Sequence, residues 1–286
     1  MVGIWSTAFR RAPLEQVSAA AAELESLGFD TLWVPGSSGG DVFERSRILL
    51  QATSRVVVAT GVVNIWMHPV TEVAERFDEL STESGDRFVL GLGCSHAALV
   101  ERAGMRYQAP VRRMVDFLDE LEHSAVVPRE RLVLAALGPR MLAVARERGA
   151  GAHPFNVTAA HTSWARAALG DGPLLIPEVK VLFERDAREA RSVARSVLAP
   201  HLRLPNYVAN LRRLGFTDDD LSGTGSDRLV DALVAWGDES DVRQRIDEHV
   251  TAGATAVCLN VITSDLSELP TGSWRRLAAM LGQPSA

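Results

Sequence analysis

The stretch RFVLGLGCSH, residues 87–96, is a short apolar run that passes directly into a loop punctuated by glycine. A run of this length and character predicts a β-strand buried on both faces, as in a parallel sheet. Glycine at its end lets backbone amides approach a phosphate or a flat ring, and it equally lets the strand pack closely against a neighbour. Similar segments precede and follow it, ATGVVNIW at residues 59–66 and LGPRM at residues 137–141.

Strand patterns and helix patterns alternate along most of the chain. Strands are predicted at residues 2–6, 30–34, 55–64, 87–92, 131–137, 152–156, 179–184 and 256–261. Helical periodicity follows at residues 14–27, 42–53, 70–82, 111–123, 140–148, 159–169, 187–198, 242–252 and 273–281. This order predicts an α/β fold of the (β/α)8 TIM-barrel class in one domain, residues 1–286. The alternative is a doubly wound sheet, but its phosphate loop usually follows the first strand, and residues 5–12 contain no glycine.

Residues 205–236 interrupt this alternation. They hold short helical patterns at residues 207–214, 218–221 and 227–236, around the sequence SGTGS at residues 222–226. We interpret the segment as a helical insertion near strand seven that serves as a lid or a dimer contact.

Composition narrows the class of protein. The chain has 286 residues, 47% of them hydrophobic, and a net charge of −6, which fits a large apolar core and disfavours a nucleic-acid or membrane surface. Its two cysteines, Cys94 and Cys258, are far apart and fit no metal-ligand spacing, which indicates a reducing compartment and no metal site. The sequence shows no leader pattern and no apolar stretch long enough to span a bilayer, so we expect a cytoplasmic protein.

The carboxyl ends of the strands carry the active site in a (β/α)8 barrel. Four segments follow adjacent predicted strands and should surround one mouth: residues 61–68, 91–96, 138–140 and 153–158. In the third, Gly138 and Pro139 begin a helix whose free amides and positive end favour a phosphate, and Arg140 would add a charge. An ordinary strand-to-helix turn would explain Gly138 and Pro139 equally well. The GLGCSH sequence, in turn, lacks the last glycine of a dinucleotide-binding fingerprint.

Histidine is a second signal. Four histidines lie at predicted strand ends or on the helices just after them: His68, His96, His153 and His161. Their clustering favours a proton-exchanging role for one of them. The other histidines, His123, His201 and His249, fall in helical patterns and are predicted to face solvent. Glu178 and Lys180, the only lysine, are placed at the start of strand seven, away from the mouth, which favours a structural role.

Seven segments follow one another in a characteristic order along nearly the whole chain. They are TGVVNIW (60–66), EVAERFDELSTESGDRF (72–88), LGLGCSH (90–96), LAALGPRML (134–142), GAHPFNVTAAHT (151–162), LPNYVANLRRLGF (204–216) and WGDESDVRQRI (236–246). Together they resemble the bacterial luciferase-like monooxygenase superfamily, and more closely its branch that uses the deazaflavin coenzyme F420. The pairing of TGV with DRFxLGLG is typical of the superfamily, while PNYVxNLRRLGF and GAHPF look like one group of F420-dependent oxidoreductases.

The resemblance implies a deazaflavin lying across the mouth of the barrel, in a protein that forms homodimers. In relatives, strand three ends in a non-prolyl cis peptide that supports the back of the ring. Here that peptide corresponds to Gly61 and Val62, with Asn64 near the ring. The ring, phosphate and polar tail would also meet residues of the next two strand ends: Gly93, Cys94, Ser95, His96, Gly138, Pro139 and Arg140.

The implied activity is hydride transfer between coenzyme F420 and a small organic substrate, namely a carbonyl compound, an enone or an alcohol. The substrate pocket would be walled by Trp5, Trp66, His153 and Phe155. His96 or His68 would exchange the proton, and His96 is preferred because the strand-four loop should point towards the ring. One alternative is an FMN-dependent luciferase-like monooxygenase, since the two rings have similar shapes. Another is a barrel that binds a flavin without catalysis.

Two positions depart from the pattern of relatives. Relatives often have an acidic residue or a histidine directly after strand two, where this chain has PGSSGG at residues 35–40. Some relatives that oxidise sugar phosphates have a glutamate after the glycines of strand four, where this chain has Cys94. Both differences argue against a sugar phosphate as the substrate.

Overall fold

The strands of the protein form one parallel sheet that curls into a barrel. The computed structural model describes residues 1–36 and 41–282 of the chain. Its strands are β1 (Val2–Trp5), β2 (Thr31–Gly36), β3 (Val57–Asn64), β4 (Phe88–Gly93), β5 (Leu132–Leu134), β6 (Gly151–Ala152), β7 (Leu174–Leu175), β8 (Glu178–Leu182), β9 (Val234–Trp236) and β10 (Val257–Val261). Each strand pairs with its neighbours in the parallel sense.

The barrel closes through a strand that is interrupted at Ile176 and Pro177. β7 pairs with β6, β8 pairs with β10, and β10 pairs with β1. Across the interruption the Ile176 amide donates to the carbonyl of Ala152, and the Cys258 amide donates to the carbonyl of Pro177. β7 and β8 therefore occupy one strand position, and eight positions form a closed (β/α)8 barrel, which confirms the predicted fold class.

Helices cover the outside of the barrel. They are α1 (Ala8–Arg11), α2 (Leu14–Ser26), α3 (Val42–Gln51), α4 (Val70–Ser84), α5 (Ala97–Arg102), α6 (Pro110–His123), α7 (Pro139–Arg148), α8 (Ala159–Leu169), α9 (Ala187–Leu198), α10 (Pro205–Arg213), α11 (Asp218–Leu221), α12 (Asp227–Leu233), α13 (Glu239–Thr251) and α14 (Thr271–Leu281). Short 3-10 helices span Arg129–Arg131 and His201–Arg203. Side-chain caps begin several of the α-helices; for α3, Asp41 accepts from the amides of Phe43 and Glu44. In the described part of the chain, no helix is both long and apolar enough to cross a membrane.

The apolar core has two main layers and a satellite. Side chains such as Phe43 and Phe88 fill the layer between sheet and helices. Inside the barrel, Trp33 and Cys258 belong to a second cluster, as expected for a barrel whose interior is packed rather than open. A third cluster, which includes Leu211, joins α9 to the helices of residues 205–236, so this segment has an apolar core of its own.

The glycines of β4 serve close packing against β3. A β-carbon on Gly91 would overlap the carbonyl oxygen of Thr60, and one on Gly93 would lie 2.5 Å from a methyl group of Val62. The Thr60 hydroxyl donates to the Gly91 carbonyl (2.9 Å) and accepts from the Gly91 amide (2.8 Å). The stretch at residues 87–96 therefore fits β4 onto the end of β3, where the register between the two strands shifts.

Three predicted strands have wrong boundaries, and the one predicted at residues 131–137 already ends at Leu134 in β5. The strand predicted at residues 179–184 begins already at Leu174, because the segment before Pro177 is strand as well. The strand predicted at residues 152–156 ends at Ala152 in β6, and Asn156 takes a left-handed φ of 59° that no strand allows.

The segment at residues 205–236 follows α9 and contains α10, α11, α12 and β9. The helical pattern predicted at residues 227–236 continues only to Leu233, and its last residues form β9 instead. β9 pairs with β8, and the Gly237 amide donates to the carbonyl of Leu182. The segment thus returns to the barrel as a short added strand.

Candidate active site

A cavity of about 410 Å³, here called the first cavity, opens at the carboxyl ends of β3, β4 and β5. Active sites lie at this end of the fold, and small-molecule pockets commonly measure about 300–1,000 Å³. The predicted cofactor-binding residues that line it are Gly61, Val62, Gly93, Cys94, Ser95, His96, Gly138, Pro139 and Arg140. The predicted substrate-pocket residues Trp5, His153 and Phe155 line it as well.

One end of the first cavity is flat and apolar. The peptide between Gly61 and Val62 is cis, at the position where the resemblance implies one. The indole of Trp5 donates to the Gly61 carbonyl over 3.0 Å. Trp5 also packs against Phe155, with ring centroids 5.1 Å apart. These surfaces suit a planar ring, which aromatic side chains contact over a large area.

The other end of the first cavity gathers hydrogen-bond donors. α7 begins at Pro139 with no side-chain hydrogen bond from its N-cap residue Gly138, so first-turn amides and the positive helix end remain for a ligand. Arg140 and Arg213 line the same region, and a β-carbon on Gly138 would lie 3.9 Å from the Arg213 guanidinium. The hydroxyl oxygen of Ser95, also on the lining, is buried without a hydrogen-bond partner. Such a donor set fits a phosphate.

His96 lies on the lining of the first cavity with a defined tautomer. Its Nδ1 donates to Oδ1 of Asn206 over 3.0 Å, which leaves Nε2 of the neutral ring as a proton acceptor. Burial lowers the pKa of His96, and the hydrogen bond to Asn206 opposes this change. The imidazole is therefore neutral at neutral pH and suited to accept a proton.

His153 lies deeper in the wall. Its ring stacks on Trp33 at 4.3 Å and is 1% exposed, and its Nδ1 donates to the carbonyl of Ile176 over 2.7 Å. Burial lowers the pKa of His153 to about 4, so the ring is neutral. Nε2 has no hydrogen-bond partner, which leaves one acceptor for a ligand atom.

The segment at residues 205–236 supplies residues that the sequence did not point to individually. Asn206, Tyr207 and Arg213, all on α10, line the first cavity. Tyr207 packs its ring 5.2 Å from that of His96. The PNYVANLRR segment signalled the family, but its pattern alone does not say which of its side chains face the cavity.

Four residues singled out from the sequence do not line the first cavity. The His68 imidazole lies 3.3 Å from Glu72 on α4, outside the mouth. Asn64 is fully buried and accepts from the amide of Trp66, whose indole donates to the Cys94 carbonyl. His161 bonds through Nε2 to the carbonyl of Leu137 behind the wall. The β3 strand ends in a turn that carries Trp66 and His68 away from the cavity.

Cys94 is on the lining, but its thiol is not poised for chemistry. Its Sγ donates to the carbonyl of Pro110 over 3.1 Å. Burial raises the pKa of the Cys94 thiol to about 12, so the reactive thiolate is disfavoured at neutral pH.

A second cavity, of about 540 Å³, lies at the carboxyl ends of β1 and β10. Trp5, Phe155 and His201 line both cavities and separate them. The prediction that His201 and His249 face solvent is wrong: His249 is 2% exposed, and His201 donates from Nδ1 to the carbonyl of Val197 over 3.0 Å. Burial, together with the nearby positive charge of Lys180, lowers the pKa of His201 to about 4.

Glu178 and Lys180 form a buried ion pair at the base of the second cavity. The Lys180 ammonium lies 3.0 and 2.9 Å from the two carboxylate oxygens of Glu178 and 4.2 Å from the centre of the Phe155 ring. Glu178 also accepts from the Asn260 side chain (2.7 Å) and the Asn156 amide (3.2 Å). β8 begins at Glu178, as predicted, but the expectation that the pair lies away from the mouth is wrong, because Lys180 lines the second cavity.

Comparison with protein families and relatives gives matches over most of the chain. The model of the luciferase-like monooxygenase family matches residues 1–256. The 5,10-methylenetetrahydromethanopterin reductase of Archaeoglobus fulgidus is 25% identical, over 82% of this chain and 85% of its own.

Solved structures also match nearly the full length. An F420-dependent secondary alcohol dehydrogenase, in complex with an F420-acetone adduct, superposes with a TM-score of 0.75 and 13% identity, over 99% of this chain and 98% of its own. The oxygenating constituent of 3,6-diketocamphane monooxygenase from Pseudomonas putida, in complex with FMN, has a TM-score of 0.69 and 13% identity, over 99% and 97%. At these identities the likeness shows the fold.

Proposed function

The chain belongs to the luciferase-like monooxygenase family, and we propose that it is an oxidoreductase that transfers a hydride between the deazaflavin coenzyme F420 and a small organic substrate. The substrate classes are a carbonyl compound, an enone or an alcohol. The structure of an F420-dependent alcohol dehydrogenase with the same fold supports this choice of cofactor. The observation that carries the proposal is the first cavity, which joins a flat apolar end to a donor-rich end.

The residues of the first cavity fit a ring with a phosphate-bearing tail. Gly61 and Val62 would support the back of the ring, and Trp5 would flank it. The unpartnered hydroxyl of Ser95 and the guanidinium of Arg213 would hold the phosphate, together with the first-turn amides of α7. When bound, the cofactor supplies the hydride chemistry, and this chain supplies position, exclusion of water and a proton.

We assign the exchange of the proton with the substrate to His96. Its Nε2 would accept a proton from a substrate hydroxyl as the substrate is oxidised, or return it to a carbonyl oxygen in the reverse direction. The bond from Nδ1 to Asn206 fixes the tautomer that this role needs. Tyr207 packs against the same ring and excludes water from one side of it.

Titration with F420 and FMN in parallel tests the cofactor. We expect saturable binding of F420, seen as quenching of its fluorescence, followed by turnover with members of a panel of carbonyls, enones and alcohols. Tight binding of FMN without binding of F420 would contradict the proposal and favour an FMN-dependent monooxygenase, for which the FMN complex of the same fold is the supporting observation. Binding without turnover on any panel member would favour a non-catalytic flavin-binding barrel.

Two neighbouring arginines provide a matched pair for the phosphate contact. Arg213 lines the first cavity, whereas Arg212 points to the exposed carboxylate of Asp218. Arg213→Gln should weaken F420 binding about tenfold, the effect of losing one charge-assisted hydrogen bond. Arg212→Gln should leave the F420 dissociation constant unchanged. Equal effects of the two substitutions would remove Arg213 from the phosphate site.

We further propose that the protein is a homodimer, as the family resemblance implies, and that it is cytoplasmic, as its two distant cysteines favour. Sedimentation equilibrium of the purified protein tests the assembly, and a monomer at all accessible concentrations would contradict it. Fractionation of the source cells tests the location.

A further inference from the structure

We propose that Trp164 and Asn210 are positioning residues, which hold the Arg213 guanidinium beside the first turn of α7 and leave its charge free for the phosphate of the bound ligand. Neither residue lines the first cavity, so both act on the ligand through Arg213. The inference deepens the proposed function, because it assigns how the phosphate contact is built. It rests on the proposed phosphate site, but not on the choice between F420 and FMN, since both carry a phosphate.

Neutral groups hold the Arg213 guanidinium. Its Nη1 donates to Oδ1 of Asn210 over 2.8 Å and to the carbonyl oxygen of Leu137 over 3.4 Å. The carbon of the guanidinium lies over the Trp164 ring, 4.9 Å from the ring centre, which is the distance of a cation–π interaction. An amide, a carbonyl and an aromatic face fix the position of this cation without cancelling its charge.

The neighbouring arginine shows the contrasting arrangement. Arg212, one residue earlier on α10, forms an ion pair with Asp218 over 2.7 Å. Among the residues that the structure describes, no carboxylate forms such a pair with Arg213. A carboxylate there would occupy the guanidinium and compete with an anionic ligand. The surroundings of Arg213 therefore keep its charge available.

The place of Arg213 beside α7 indicates an anion as the ligand group. A β-carbon on Gly138, the N-cap residue of α7, would lie 3.9 Å from Nη2 of Arg213. A cation beside a positive helix end is unfavourable, and an anion between the two makes both interactions favourable. Within the described chain Nη1 alone bonds to protein groups, which leaves Nη2 and Nε for two phosphate oxygens. The buried, unpartnered hydroxyl of Ser95 lines the same cavity.

Asn210 occupies a position where an amide lowers stability. Its side chain is 1% exposed, and its Nδ2 has no hydrogen-bond partner. An unsatisfied buried amide destabilises a fold, whereas leucine is similar in size and has no polar group. The bond from Arg213 to Oδ1 is the interaction that only a polar side chain provides here. Asn210 therefore serves the position of Arg213 rather than the stability of α10.

Ligand pairs with and without a phosphate test the inference. F420 is compared with the deazaflavin that lacks the phosphate-bearing tail, and FMN with riboflavin, by fluorescence titration of the whole protein. The ratio of the two dissociation constants in each pair measures the preference for phosphate. Trp164→Leu and Asn210→Leu should each lower this ratio about two- to fivefold and leave the affinity for the phosphate-free ligand unchanged. Trp164→Phe keeps an aromatic face and should retain most of the ratio.

A matched control and a stability measurement separate positioning from a structural role. The Trp236 ring lies 5.6 Å from the Arg191 guanidinium, away from the first cavity, and Trp236→Leu should leave the ratio unchanged. Asn210→Leu should keep or raise the free energy of unfolding in urea, because it removes the unsatisfied amide. If Trp164→Leu and Asn210→Leu weaken the phosphate-free ligand as much as the phosphate-bearing one, their role is structural and the inference is overturned.

A double-mutant cycle locates the effect at Arg213. In Arg213→Gln, Trp164→Leu should cause no further change in the ratio, because both substitutions act on the same guanidinium. Additive losses would contradict the inference.

The two ligand pairs separate this inference from the proposed function. A protein that binds FMN and not F420, with a phosphate preference that the variants lower, overturns the proposed cofactor and leaves the inference in place. F420 binding without a preference for phosphate, or with a preference that the variants do not change, overturns the inference alone. Binding of neither pair overturns both.

Discussion

The two cavities share Trp5, Phe155 and His201, but they are built from different parts of the chain. The first cavity is bounded largely by main chain at glycine-rich strand ends, at β3, β4 and the start of α7. The second cavity is bounded by side chains, with a buried ion pair at its base and arginines at its edge. The surface of the first cavity is therefore fixed by backbone geometry, whereas the surface of the second cavity can change by substitution of side chains. Such a combination allows different functions on one constant fold.

The largest expected effect concerns the base of the second cavity. Lys180→Met leaves the Glu178 carboxylate buried without its cation, and breaking such a pair costs about 3–5 kcal/mol in the free energy of unfolding. Urea denaturation measures this loss. The double variant Lys180→Met with Glu178→Met should recover most of it. For comparison, Arg276→Met at the exposed pair with Glu239 should cost less than about 1 kcal/mol. Similar losses of unfolding free energy at the two sites would mean that water reaches the Glu178–Lys180 pair in the folded protein.

The next effect concerns His96, the residue of the first cavity that is proposed to exchange the proton. His96→Ala should lower kcat about a hundredfold, since general acid–base catalysis contributes about 10²–10⁴-fold, and F420 affinity should change little. His123→Ala, on the exposed end of α6, is the control and should leave kcat unchanged. Unchanged turnover in His96→Ala would transfer the role to another residue, and His201 in the shared wall would be the first to test.

A smaller effect tests whether backbone geometry defines the first cavity. Gly91→Ala forces a β-carbon onto the Thr60 carbonyl and should cost about 1–3 kcal/mol of stability by overpacking. Gly172→Ala has open space around it and should be neutral. The comparison is made by thermal unfolding. A neutral Gly91→Ala would show that β3 and β4 can separate without penalty.

The smallest effect is a pH dependence of stability in the wall of the first cavity. The pKa of His153 lies at about 4 in the folded protein, below the ordinary value of 6.5. The unfolded chain therefore binds a proton first as the pH falls. The contribution of neutral His153 to the free energy of unfolding is complete above pH 6.5 and is lost progressively as the pH falls towards 4. Between pH 7 and pH 5 this histidine should account for about 1–2 kcal/mol of the decline.

A substitution at His153 checks this pH dependence. His153→Gln should flatten the plot of unfolding free energy against pH by that amount, whatever its effect at pH 7. His123→Gln removes an exposed imidazole as the control. An unchanged slope in His153→Gln would show that folding does not lower the pKa of this ring.

The sequence predicted the first cavity far better than the second. Alternating strand and helix patterns place strand ends at one mouth, so glycine-rich exits such as Gly93 and Gly138 could be assigned from their position in the chain. The turn after Asn64 could not be assigned in this way. It carries Trp66 and His68 away from the first cavity. Periodicity indicates which face of a helix is apolar, but it does not indicate that a polar residue such as His201, at the start of the 3-10 helix after α9, lies against the barrel mouth.

The place of the ion pair relative to the cavities was mispredicted for a related physical reason. A proline within an apolar run commonly marks a strand boundary, which places Glu178 and Lys180 at the start of a strand. In the structure β8 does begin at Glu178, but β7 precedes it in the same strand position, so the pair lies further from the amino end of the barrel than a strand start implies. Lys180 therefore reaches the lining of the second cavity, whereas the sequence predicted that both charged side chains lie away from the mouth.

The enclosure of Lys180 makes it a natural reporter of barrel opening. It is the only lysine of the chain, and its side chain is 1% exposed. An acylating reagent reaches this amine only in molecules whose barrel has transiently opened. The rate at which one acyl group is added to Lys180, followed by mass spectrometry in increasing denaturant, therefore gives the free energy of that opening without any introduced label.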